Sequence, residues 1–151
     1  MVRLICVILL LCNCCHAQLF ETKISSDHIR IDQVGPRDYM LEPLILTIEK
    51  VELRFPERPE QINRPVFDSL CSYINKINKE VPSILLREID VNEFGIFKVT
   101  IRNEGKTQIF FTRNRKFAIT FLTGFRKVLK DLTAPDESIK KTETMLHKID
   151  Y

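Results

Sequence analysis

Cysteine, histidine and clustered charge are the residues of this chain that could carry chemistry, and their surroundings decide which chemistry. Three of the five cysteines fall close together, at Cys12, Cys14 and Cys15. Thiolates can hold zinc when a fold sets them in a tetrahedron. These cysteines instead close an uninterrupted apolar run from Leu4 to Cys12, where no fold would set them. Arg3, the apolar run, and then Cys15 and Ala17 ahead of Gln18 match the charged, hydrophobic and cleavage regions of a secretory signal. We read residues 1–17 as a signal peptide. A lipoprotein leader acylated on Cys14 or Cys15, or an uncleaved signal anchor, are the alternatives. The run is short of the roughly 20 residues of a spanning helix.

Removal of the leader leaves Cys71 alone, so no internal disulfide can form and a cross-linked secreted scaffold is excluded. Cys71 lies on the apolar stripe of a helix, where a thiol packs as a small hydrophobe; a nucleophile needs an exposed, electropositive setting. His28 stands between Asp27 and Asp32 in "SSDHIRID", as a base or a ligand would. With no partner motif and a loop-like context, it reads as a surface histidine. His147 reads as a structural residue of a terminal strand. Glu88, Asp90 and Glu93 offer the oxygens that calcium takes, without the EF-hand spacing or its glycine. There is no nucleophile elbow, zinc spacing or phosphate loop. The reading therefore assigns no catalytic residue, no metal and no cofactor, and disfavours a hydrolase or an oxidoreductase.

Charge is dense and nearly balanced, with 23 Lys+Arg against 20 Asp+Glu, so the basic excess of a nucleic-acid binder is missing. The lack of tryptophan and the four glycines argue against a sugar-binding surface and a glycine-rich phosphate cradle. The densest basic cluster is "RNRK", Arg113, Asn114, Arg115 and Lys116. It opens a helix, where positive charge opposes the dipole at a cost of about a few tenths of a kcal/mol. Such a cluster suits an acidic partner or lipid headgroups, or is simply a solvated loop.

The elements that would hold these residues follow from periodicity. Residues 18–43 are polar and broken by Gly35-Pro36, and read as a loosely structured segment. "LILTIEKVEL", Leu44 to Leu53, reads as a strand, and the proline-rich "RFPERPEQINRP" as a rigid loop. Asn63 caps a helix that starts near Pro65, with Val66, Phe67, Leu70, Cys71, Ile74 and Ile77 on one stripe. "SILLREIDV" is a strand. "IFKVTIR" and "TQIFFT" form a hairpin around "NEGK", with Gly105 free to take a positive φ. "RKFAITFLTGFRKVLKDL" is a second helix whose apolar face runs from Phe117 to Leu132. Met145, His147, Ile149 and Tyr151 alternate in a closing strand. The expectation is one α+β domain over 44–151, β-α-β-β-β-α-β, with two amphipathic helices on a small sheet.

The runs "PVFDSLCSYINKIN", "ILLREIDVNEFGIFKVTIRNEGKTQIFFT", "KFAITFLTGFRKVLKDL" and "HKIDY" together resemble the extracytoplasmic β domain of the bacterial division protein FtsQ (DivIB), over residues 66–151. The resemblance implies a scaffold that docks other membrane-anchored division proteins. Strand addition to a sheet edge is a physically sound way to dock, and the closing strand is the candidate edge. The expected partner-binding residues are Met145, Lys148, Ile149 and Tyr151 on that edge, with Arg113, Arg115 and Lys116 in the basic cluster. The function expected is a non-catalytic, secreted or periplasmic protein-interaction domain, a cell-division or envelope scaffold. Its partners are proteins, membrane-anchored ones included, with no nucleic acid and membrane contact only through the leader. The alternatives are a small secreted inhibitor or effector, and an apolar-ligand carrier with its ten phenylalanines around a cavity.

Overall fold

The computed structural model describes residues 24–34, 41–51, 57–80, 95–112 and 114–150. The expected strand "SILLREIDV", the acids Glu88, Asp90 and Glu93, and the leader lie outside the described residues. The elements are β1 (His28–Val34), β2 (Leu44–Thr47), β3 (Glu60–Gln61), α1 (Arg64–Glu80), β4 (Ile96–Asn103), β5 (Lys106–Phe111), α2 (Arg115–Asp131) and α3 (Asp136–Asp150). They form the expected α+β domain: one mixed sheet in the order β3-β2-β1-β4-β5, with helices packed on it.

The centre of that sheet corrects the expectation of a loose segment at 18–43. β1 pairs antiparallel with β2 on one side and with β4 along its whole length on the other. Ile29 and Ile31 are fully buried on the helix-covered face, and His28 is only 8% exposed, so it is a strand residue and not a surface-loop one. Arg30 and Asp32 alternate with the isoleucines, which makes a half-polar strand look like loop in sequence. β2 stops at Thr47, well short of Leu53, and Ile48 and Glu49 bend out of it. The proline-rich loop contributes the two-residue β3, parallel to β2.

The hairpin is as expected. Glu104 and Gly105 both take positive φ, 50° and 76°, the pair of left-handed residues that matches a two-residue turn to strand twist. Asn63 Oδ1 accepts the N–H of Val66 at 3.0 Å and caps α1. Asn114 Oδ1 does the same for Phe117 at 2.9 Å on α2. One end of the molecule is tied by Arg64, which donates to Asp27 (3.1 Å) and Asn103 (3.2 Å). Asp27 in turn accepts the backbone N–H of Glu104 at 2.8 Å. This joins α1, the start of β1 and the hairpin turn.

The largest correction is at the C-terminal end, where the expected closing strand is helix α3. Ser138, Thr142, Met145 and Ile149 are buried at intervals of four, three and four, the helical repeat. Alternation within "ETMLHKIDY" is a coincidence of a short window, which the preceding turns of the same helix override. Asp136 and Glu137 in its first turn and His147 and Lys148 in its last also suit the helix dipole.

The core lies between the sheet and the helices. Phe97, Val99 and Ile101 of β4 and Ile29 and Ile31 of β1 meet Phe67, Leu70 and Ile74 of α1 and Phe121, Leu122 and Phe125 of α2. Burying each phenylalanine contributes about 1.5–3 kcal/mol. Phe121 organises the aromatic part, edge-to-face on Phe110 at 5.6 Å and stacked on Tyr73 at 6.0 Å. Among the described residues these aromatic side chains pack against one another.

Gly124 sets the distance between α1 and α2. Tyr73 donates its hydroxyl to the Phe121 carbonyl at 2.9 Å, and a Cβ at Gly124 would lie 2.1 Å from that hydroxyl. Gly124→Ala should therefore destabilise the protein by about 1–3 kcal/mol through overpacking, although alanine favours a helix by about 1 kcal/mol. Urea unfolding of the two proteins measures the sign directly.

Candidate functional site

The residues expected to meet a partner divide into four groups. Arg113 and Tyr151 lie outside the described residues. Met145 and Ile149 are core, 2% and 0% exposed, because α3 turns them onto the apolar cluster; they are not available to a partner. Lys148 and Lys116 are exposed on helices α3 and α2. Arg115 is exposed but engaged: its Nε donates to the Ile149 carbonyl. That bond explains why a cation tolerates the N-terminus of α2. Its guanidinium serves the C-terminus of α3, where orphan carbonyls and the dipole favour positive charge. Gly95, at φ 91°, lies against both, and a Cβ there would come within 3.4 Å of Ile149 Cγ2.

The other sequence candidates are structural. Cys71 is 6% exposed, and burial, with Asp68 nearby, pushes its thiol up to about 11, so it is protonated near neutrality. It borders a small cavity of about 120 Å³ with Asn75, Asn103, Glu104, Lys106 and Gln108. His28 Nδ1 lies 2.9 Å from the Ser26 carbonyl. His147, Glu143 and Arg126 line a shallow groove between α2 and α3. There Glu143 accepts Lys130 Nζ at 2.8 Å, which holds its carboxyl below the usual range. Among the described residues no group of three or more His, Cys, Asp or Glu could hold a metal ion.

The sheet edges are where the geometry is asymmetric. The β3 edge is short and covered: Lys141 of α3 donates to the Arg58 carbonyl (3.1 Å) and to Glu60 (3.3 Å). Among the described residues, no strand pairs with the opposite edge, β5. Lys106, Thr107, Gln108 and Ile109 are all exposed, and Ile109, at 53%, is the exposed large hydrophobic residue among those described. Thr112 N–H donates to the Phe97 carbonyl at 2.9 Å. In an antiparallel ladder the hydrogen-bonding direction alternates along the strand. The N–H and C=O groups of Phe111, Ile109 and Thr107 therefore point away from β4, toward solvent. Natural sheets commonly blunt such edges with charge, prolines or bulges; β5 has one lysine, at its end, and an isoleucine in the middle.

The face of the sheet away from the helices supplies charge beside this edge. Cross-strand register puts Ile45, Arg30, Thr100 and Ile109 in one row, and Thr47, His28, Arg102 and Thr107 in the next. Asp32, Lys98 and Phe111 form a third. Arg30 is satisfied by Asp32 at 2.8 Å and Glu57 at 2.7 Å. Lys98 and Arg102 have no carboxylate within ion-pair distance among the described residues, and Arg102 Nε is buried without a hydrogen-bond partner. Sequence reasoning missed this site. The alternation of Lys98 and Arg102 with apolar residues was visible, but which strand forms the edge was not.

Two outcomes follow for the residues assigned here. Cys71 should resist alkylation by iodoacetamide at pH 8 in the folded protein and react promptly in 6 M guanidinium chloride. Because the unfolded thiol ionises near its ordinary value of 9.0 and the folded one near about 11, the contribution of this group to stability is lost as pH rises through that window. Arg115→Ala should lower stability by about 1 kcal/mol, the worth of one helix-terminal charge interaction, and increase amide exchange at the end of α3; Lys116→Ala should do neither.

Compared with protein-family models, curated proteins and solved structures, the chain finds no match.

Proposed function

We propose that this chain is a non-catalytic docking domain that binds a protein partner by adding an extended segment of that partner to the β5 edge. The observation that carries the proposal is the open edge itself: outward backbone donors and acceptors at Thr107, Ile109 and Phe111, centred on an isoleucine exposed to 53%. Strand addition draws affinity from main-chain hydrogen bonds and specificity from alternate side chains, and β5 offers both. The protonated, buried Cys71 and the ion-paired Glu143 support a non-catalytic reading. Export, and with it a secreted or periplasmic setting, rests on the leader pattern of residues 1–17. The FtsQ-like resemblance included docking through a closing strand. That segment is helix α3, so the proposal keeps the docking mode, moves it to β5 and names no division partner.

Proline tests the edge without disturbing the sheet. The Ile109 N–H makes no ladder bond, so Ile109→Pro removes a donor meant for a partner at a position where an edge strand tolerates proline. Gln108→Pro, whose N–H faces β4, should by contrast destabilise the domain. Affinity isolation from the native host followed by mass spectrometry should recover a partner with the wild-type protein. Ile109→Pro should lose it with an unchanged melting temperature. A partner held equally by both proteins would overturn edge docking.

A further inference from the structure

Charge around the β5 edge narrows what can dock there. Thr107, Ile109 and Phe111 present their side chains on the face away from the helices, the face that carries Arg102 and Lys98. Arg102 is the cross-strand neighbour of Thr107, and Lys98 that of Phe111. An added strand would lie about 4.8 Å beyond β5. Its residue opposite Thr107 would face Arg102 across a small side chain, over two strand spacings, about 10 Å. Arginine and glutamate side chains together cover that span. The residue opposite Ile109 would meet an apolar side chain. The residue opposite Phe111 would face Lys98 beyond the ring. Arg30, the third cation among the described residues of this face, is ion-paired with both Asp32 and Glu57; three cations against two carboxylates leave one positive charge in excess, and Arg102 and Lys98, the latter cross-strand from Asp32, are the cations outside those ion pairs.

Resting on the edge-docking reading, we propose that the occupant is an extended acidic segment with the pattern acid-x-aliphatic-x-acid. Its aliphatic residue lies on Ile109, and its two carboxylates pair with Arg102 and Lys98. The two cations lie on either side of the Ile109 row, so the pattern holds for a parallel or an antiparallel partner. A second copy of this chain is the weaker occupant. Pairing β5 with itself about Ile109 would bring two sets of Arg102 and Lys98 to one surface with no added acid.

The test uses two blocked nine-residue peptides, one with Glu-Thr-Ile-Thr-Glu at its centre and one with Gln-Thr-Ile-Thr-Gln, titrated into the full chain by calorimetry. The acidic peptide should bind at least tenfold more tightly, and its affinity should fall as salt is raised. An R102Q/K98Q double variant should bind both peptides alike. Ile109→Pro should bind neither. Equal binding of the two peptides to wild type would overturn the acidic pattern and leave edge docking standing. Binding of the acidic peptide that survives Ile109→Pro would mean surface charge attraction only, and would overturn the proposal. No binding of either peptide at millimolar concentration would overturn the proposal. Sedimentation of the chain alone supplies the last outcome: a dimer abolished by Ile109→Pro would give the edge to a second copy and overturn the acidic partner while sparing the edge.

Discussion

The middle strand of a sheet is held by neighbours on both sides, and β1 holds that place in this protein. It pairs antiparallel with β4 along its whole length and with β2 from His28 to Ile31, and its two isoleucines, fully buried, anchor the helix-facing core. The rest of the arrangement is conditional on it. The hairpin attaches to one side and the short β2–β3 pair to the other. The link from Asp27 through Arg64 to the hairpin turn fixes the end of β1 against α1. In sequence this segment belongs to the polar stretch 18–43 broken by Gly35-Pro36, and four of its own seven residues, His28, Arg30, Asp32 and Gln33, are polar. That composition is what a central strand shows when one of its faces carries polar side chains.

Placing β1 at the centre also decides which strands become edges. β3 is closed off by Lys141 of α3, and β5 is left with its outward backbone exposed. The described helices pack on one face, and on the other face Lys98 and Arg102 lie beside the β5 edge with no ion pair among the described residues. Among the described residues, cations without an ion pair beside a strand edge without a partner give the docking reading its physical content. The chemistry-bearing residues that stand out in sequence contribute little to it. Cys71 and Met145 are packing, and Arg115 is spent on the end of a neighbouring helix.

The amphipathic helices α1 and α2, the caps at Asn63 and Asn114, and the hairpin with its Glu104-Gly105 turn were legible from the sequence, because each is set by contacts within a few residues: helical spacing of apolar side chains, a side-chain oxygen three residues before an N–H, and a tight turn that needs positive φ. The α+β class followed from them. What was not legible depended on distant partners. Met145 and Ile149 alternate convincingly over seven residues, and only the docking of the whole segment on the core shows that the period is helical. Gly124 looks like a weakness in α2 until Tyr73 of α1 occupies the place its side chain would take. Sheet order decides that β5, and not the chain's last segment, is the edge, and sheet order is a product of long-range pairing. Local sequence therefore determined the elements; tertiary structure decided which backbone groups and which charges were left over, because only the assembled sheet reveals what remains unpaired.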